Sequence, residues 1–112
     1  MELLDVVLKA ISEKKGYDIR CYDVRTLTPF MDSMIIVSTT NIRQNNAIAQ
    51  NIKERVHEFG YKGDYHVEGD ANSRWVLIDL KEVVVQLFVQ EERSVYNLDR
   101  LYADVPVVEY DL

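Results

Sequence analysis

An α/β fold, a single mixed β-sheet of about five strands flanked by helices, is what this sequence predicts, and three observations carry that reading. Apolar residues recur at helical spacing near the N-terminus, at Leu4, Val7, Leu8 and Ile11, and again mid-chain at Ile48, Ile52, Val56 and Phe59. Two β-branched runs, 74–79 and 82–88, follow each other closely enough to form a hairpin. A third run, 34–39, is continuously apolar at its start, as a strand buried on both faces would be. The resulting order is α-β-β-α-β-β-β-α, and 112 residues hold one domain.

In chain order, Gly16 is placed to stop the first helix. Residues 17–24 read as a strand. Thr26, Pro29 and Phe30 belong to a loop before the strand at 34–39. Asn41 and Gln44, three apart, are spaced to cap the second helix, which Gly60 ends. His66–Glu68 is a short extended piece, and 69–73 is turn-rich. After the hairpin, 91–101 reads as a helix in which Val95, Leu98 and Tyr102 form a core-facing stripe. Residues 105–112 read as an acidic, irregular, solvated tail beyond a domain spanning 1–104.

Composition narrows the function classes. Thirteen basic against nineteen acidic residues give a net charge of −6. No cluster of Lys and Arg exists to neutralise phosphates, so nucleic acid is not the expected main contact, although an acidic surface suits a basic protein partner. No apolar stretch is long enough to span a bilayer, and the first residues lack the basic region of a secretion signal. A cytoplasmic protein is therefore expected, without membrane contact. The lone Cys21 excludes an intramolecular disulfide and leaves zinc without thiolate partners. His57 and His66 have no serine or cysteine beside them, and both read as surface residues. No Gly-Ser turn and no paired strand carboxylates are present for metal-assisted nucleotidyl transfer, so no enzyme, cofactor or metal is expected.

The hairpin is the most informative stretch. A two-residue turn at Leu80 and Lys81 would place Asp79 opposite Glu82 and Trp75 opposite Gln86, with Lys81 at positive φ. Alternation then sorts the side chains into two sets. Val76, Ile78, Val83, Val85 and Leu87 form an aliphatic core face. Trp75, Leu77, Asp79, Glu82, Val84, Gln86 and Phe88 form a mixed face. Full cover would strand two carboxylates, whereas full exposure would leave an indole and a phenyl ring in water. A surface covered only when a partner docks satisfies both demands, with an aromatic anchor inside a polar rim. Arg93 and Tyr96, three apart on the following helix, are placed to join it.

These same segments carry a resemblance. Residues 74–79, then Val83 to Phe88, then Glu92, Arg93, Tyr96, Leu98, Arg100 and Leu101 resemble the Iojap/ribosomal silencing factor family. Asp23, Val24, Arg25, Leu27 and Thr28 agree upstream, as do Asp32, Arg43, Gln44, Ala47, Ile48, Ala49, Glu68 and Gly69, and the likeness runs from about residue 5 to residue 104. It departs from the family at Gln86, where histidine is usual, at Leu80 and Lys81, where a Tyr-Gly turn is common, and at Ser33, Met34 and Tyr102. The resemblance implies a nucleotidyltransferase-like fold without catalysis and a bacterial factor that binds the fourteenth protein of the large ribosomal subunit. Such factors block joining of the small subunit when nutrients run short, and are often homodimers when free. In that family the tryptophan strand supplies much of the contact, which maps here to Trp75, Leu77 and Asp79. The other readings are a homodimeric adaptor without ribosome binding and, least, a nucleotidyltransferase-like enzyme.

Overall fold

Helix α1 (Leu3–Glu13) begins at a capping box, in which Glu2 and Asp5 each accept a hydrogen bond from the other's end of the first turn. Helix α2 (Ile42–Phe59) begins where the Asn41 side chain accepts from the Gln44 backbone N–H, and it stops at Gly60, whose φ of 95° suits glycine. Both ends of α2 fall where the sequence puts them. The computed structural model describes residues 2–108 and 110.

Five strands, β1 (Tyr17–Asp23), β2 (Ser33–Thr39), β3 (His66–Glu68), β4 (Trp75–Asp79) and β5 (Val83–Val89), form one sheet in the order β1-β2-β5-β4-β3. The central pair β2–β5 is parallel and the other pairs are antiparallel. Both central strands are buried along their whole length. Beneath one face lie α1 and α2, whose Val7, Leu8, Ile11, Ile48 and Ile52 pack with Val76, Ile78, Val83, Val85 and Leu87. The aliphatic set of the hairpin is thus the helix-covered core, as alternation predicts. Phe59 departs from its expected place on the inner stripe. It is 44% exposed, at the last position of α2.

Polar side chains tie α2 into this layer. Asn51 Nδ2 donates to the Ala10 carbonyl and to Glu13 Oε1, at 2.9 and 3.0 Å. Thr39 Oγ1 lies 2.5 Å from Asn45 Oδ1 and 3.2 Å from the Phe88 carbonyl, which joins β2, α2 and β5 at one point.

The turn between β4 and β5 corrects the expected register. Its centre is Lys81 and Glu82, with the Leu80 N–H donating to the Val83 carbonyl at 2.9 Å. Asp79 therefore faces Val84 and Trp75 faces Phe88. The displacement is one residue on each strand, so every side chain keeps its face. Burial explains it: Leu80 is 1% exposed in the helix-covered core. Covering it stabilises by about 1.5–3 kcal/mol, which offsets the cost of about 1–2 kcal/mol for the left-handed conformation at Lys81, whose φ is 70°. Asp79 Oδ1 also accepts the Lys81 N–H at 2.8 Å.

The second face is covered by the end of the chain, and here the structure differs most from expectation. Helix α3 (Gln90–Tyr96) stops at Asn97, which takes the left-handed conformation at φ 50° and donates its N–H to the Arg93 carbonyl. A 3-10 segment, Leu98–Tyr102, continues in a new direction. The break changes the phase of the expected stripe. Leu98 and Tyr102 pack with Tyr22, Met34, Ile36, Val84 and Phe88, but Val95 is 74% exposed. Nor does the tail extend freely into solvent. Asp23 N–H donates to the Pro106 carbonyl and Val108 N–H to the Cys21 carbonyl, at 2.9 and 2.7 Å, so residues 106–108 lie along the outer edge of β1, while Glu109, Asp111 and Leu112 of the expected tail lie outside the described residues. Cys21 beneath it is fully buried, and that burial pushes its thiol up to about 11, so it is an inert packing residue.

Arg93 fastens this cover. Its side chain, 10% exposed, donates to both Asp99 carboxylate oxygens at 3.0 and 3.1 Å, to Ser38 Oγ at 2.9 Å and to the Asp18 carbonyl at 2.5 Å. Asp99 also accepts from Tyr22 Oη at 2.6 Å. Burial opposes ionisation of Asp99, but the bonds from Arg93 and Tyr22 outweigh it and hold the carboxyl below its ordinary value. Burial and the adjacent Asp99 push the Tyr22 phenol up to about 12.

Two outcomes are expected in denaturation experiments. Lys81→Gly should stabilise the protein by about 0.5–1 kcal/mol by relieving the left-handed backbone, whereas Leu80→Ala should destabilise it by about 2–4 kcal/mol. Asp99→Asn should cost about 2–3 kcal/mol at neutral pH. Because the folded pKa of Asp99 is lowered, its contribution is complete above its unfolded value of about 4 and fades as pH falls through the folded one. Urea melts of the parent and of Asp99→Asn should therefore begin to converge as pH falls below about 4.

Candidate partner-binding site

The cover on the second face reaches only part of the way across. Over Tyr22 on β1 and along β2 and β5 it is complete, but Arg20 at one margin is exposed and on β4 Trp75, Leu77 and Asp79 remain half-buried. The β3–β4 pairing places His66 opposite Asp79 and Glu68 opposite Leu77. Rows of side chains therefore run across this face: His66, Asp79, Val84, Met34 and Tyr22 in one, and Glu68, Leu77, Gln86, Ile36 and Arg20 in the next. In each row the β3 and β4 members are open and the central ones are covered.

Trp75 stands at the boundary between the covered and open halves. Its ring stacks on Phe88 with centroids 5.1 Å apart and planes 23° apart, and it meets Tyr96 at 4.5 Å in a tilted arrangement. Its Nε1–H donates to Gln86 Oε1 at 2.6 Å. Phe88 is fully buried and Tyr96 is 49% exposed. The indole is thus clamped by a ring below and a ring beside it, with its one polar atom already paired. Such a ring offers a rigid apolar contact at small conformational cost.

The rim is polar and mostly acidic. His66 Nε2 lies 2.8 Å from Glu68 Oε1, and this hydrogen bond and the Glu68 charge hold the imidazole above its ordinary value, with Asp79 adding to the effect. Glu82 is exposed in the turn, where its backbone carbonyl accepts from Asp32 N–H and Ser33 N–H at 2.8 and 3.0 Å. Lys81 Nζ, 3.6 Å from Asp64, belongs to the same end of the sheet.

Of the nine side chains that the sequence assigns to a partner surface, Trp75, Leu77, Asp79, Glu82 and Tyr96 are at least partly open. Val84, Gln86, Phe88 and Arg93 are not: their exposures are 4, 6, 0 and 9%. Alternation identifies their face correctly but cannot reveal that the chain's own C-terminal segment covers it. Val84 and Phe88 support the face from within, Gln86 holds the indole, and Arg93 is drawn away to Asp99, Asp18 and Ser38. Arg93 makes no bridge to Asp79.

The sequence reading missed a second open apolar element. Phe30 and Leu27, in the loop between β1 and β2, are 84% and 57% exposed, while Met31 between Phe30 and β2 packs into the second-face cluster. The signal was present in the Pro-Phe-Met triplet at 29–31, where two large apolar residues sit in a connection that needs none. His57 and His66 are exposed, as expected of surface histidines, and among the described residues no group of three or more His, Cys, Asp or Glu side chains is arranged to hold a metal ion.

Comparison with known proteins gives this geometry a family. A family model described as "Ribosomal silencing factor during starvation" matches residues 1–112. The ribosomal silencing factor RsfS of Halalkalibacterium halodurans is 34% identical over 110 residues, which are 98% of this chain and 93% of that protein. RsfS of Bacillus subtilis is 35% identical over 109 residues, covering 97% and 92% of the two chains. A crystal structure of a protein from Bacillus halodurans superposes with a TM-score of 0.83 at 33% identity, over 96% of this chain and 97% of that one. The mixed five-stranded sheet with its helices is thus shared with a solved relative, and the chain belongs to the ribosomal silencing factor family.

Proposed function

We propose that this protein docks on the large ribosomal subunit through that subunit's fourteenth protein, using the open half of its second sheet face, and thereby blocks joining of the small subunit. Membership of the family makes it a regulatory factor of ribosome-associated translation silencing. The finer reading is supported by one observation above the others: a clamped, half-open Trp75 at the edge of a face that the chain covers only in part. A catalyst would need groups positioned to move protons or hold phosphate. A steric blocker needs only a rigid surface and bulk, and in this reading no step is chemical.

Trp75 and Leu77 would enter a shallow apolar patch, with Tyr96 widening the contact. Asp79, Glu68 and Glu82 would meet Lys or Arg on a basic partner, which chiefly speeds and orients encounter. The net charge of −6 keeps the remaining surface from competing contact with ribosomal RNA. Cytoplasmic location follows from the same reading.

Trp75→Ala should weaken co-sedimentation with separated large subunits by about 30- to 1,000-fold, the usual range for loss of an aromatic anchor, while the protein still melts cooperatively. A folded Trp75→Ala protein that binds as the parent does would sink the assignment. The homodimeric adaptor reading predicts instead that the parent protein never leaves the top of the gradient. Asp79→Lys should slow association with large subunits at low ionic strength, and the difference should shrink at high salt. Stopped-flow association rates at two salt concentrations check this.

A further inference from the structure

We propose that Gln86 is the positioning residue of the docking site: it touches no partner itself, and acts by accepting the indole N–H so that Trp75 is presented in one orientation with no polar atom left to pair. The inference rests on the docking reading above and deepens it.

Three observations carry it. Gln86 is 6% exposed in the middle of the central strand β5, an uncommon place for a carboxamide among Val83, Val84, Val85, Leu87 and Phe88. Its Oε1 accepts from Trp75 Nε1 at 2.6 Å, across the β4–β5 pair. Trp75 is not directly opposite Gln86 but beside Phe88, so the bond is diagonal and fixes the ring's tilt over the phenyl group as well as its pairing.

The physical reason is desolvation. In the free protein a half-open indole N–H can be hydrated. Once a partner covers the ring, an N–H without an acceptor is buried unpaired, which weakens binding about tenfold or more. An internal acceptor removes that penalty before docking and also removes the ring's alternative rotamers. Hydrophobic replacement at Gln86 would pack well in the free protein, so the effect belongs to the complex.

The test separates acceptor chemistry from mere packing. Gln86→Leu keeps the approximate volume without an acceptor. Gln86→His restores one, because an imidazole ring nitrogen stands the same number of bonds from the backbone as Oε1. A neutral imidazole accepts, but its protonated form has only donors. The titratable and charged groups on this face are Glu68 and its partner His66 on β3, Asp79 on β4, Arg20 at the far end of the same row, and Arg93 with Asp99 from the covering segment.

Fluorescently labelled full-length protein and its two variants would be titrated against purified large subunits at pH 8.0 and pH 5.5. The expected result is a loss of about tenfold for Gln86→Leu at both pH values. Gln86→His should bind within about threefold of the parent at pH 8.0 and fall to the Gln86→Leu level at pH 5.5, a change beyond whatever titration of His66 contributes to all three proteins alike. The parent chain has a single tryptophan, so the anisotropy decay of the free variants adds a second readout, with a faster local component expected in Gln86→Leu. If the parent binds but Gln86→Leu binds equally, or Gln86→His shows no pH dependence beyond the parent's, the positioning role is overturned. If the parent itself fails to bind large subunits, it is the docking reading that fails. Should Gln86→Leu not fold, the pH ratio of Gln86→His against the parent still decides.

Discussion

A sheet whose two central strands are buried on both faces needs two covers, and this chain has long helices for only one. Helices α1 and α2 account for the first layer. The second must be made from one short helix, a 3-10 segment and a tail, held down by the Arg93–Asp99 pair. That material suffices for Tyr22 on β1 and for β2 and β5, and runs out at β4. The open half of the second face follows from this shortage, and in the proposed function it is where the partner docks.

Charge and packing divide the work on that face. The covered half keeps its polar groups internally satisfied, and among the described residues no buried side-chain nitrogen or oxygen lacks a hydrogen-bond partner. The open half carries unburied carboxylates beside an imidazole whose pKa the hydrogen bond to Glu68 raises. Rigid apolar contact comes from the boundary between the two, where Phe88 and Tyr96 hold the indole. An anchor at such a boundary is stiff because one side is solid protein, and accessible because the other side is not.

Much of this was legible in the sequence. Both long helices, the five strands and the division of the hairpin into two faces came from periodicity, since a period of two or of 3.6 is set by the backbone and survives small errors of register. The turn was misplaced by one residue because local preference disfavours Lys81 at positive φ in either register, and only the burial of Leu80 discriminates between them. Asn97 and the docked tail were missed for a related reason. An Asn inside a helical pattern breaks it only when tertiary contacts, here those of Arg93, reward the new direction. Four of the nine expected surface residues proved covered because nothing local distinguishes a face awaiting a partner from one roofed by the same chain.

The tail along β1 has one more consequence. A sheet can grow sideways at either margin by accepting a foreign strand, and such lateral growth is the usual route to aggregation and to strand-exchange assemblies. One margin is occupied by Pro106 and Val108. The other is β3, a strand of only three residues flanked by His66 and Glu68, too brief and too charged to template an added chain. With one selvedge partly occupied and the other so short, broadside contact is the favoured way for another molecule to meet this sheet.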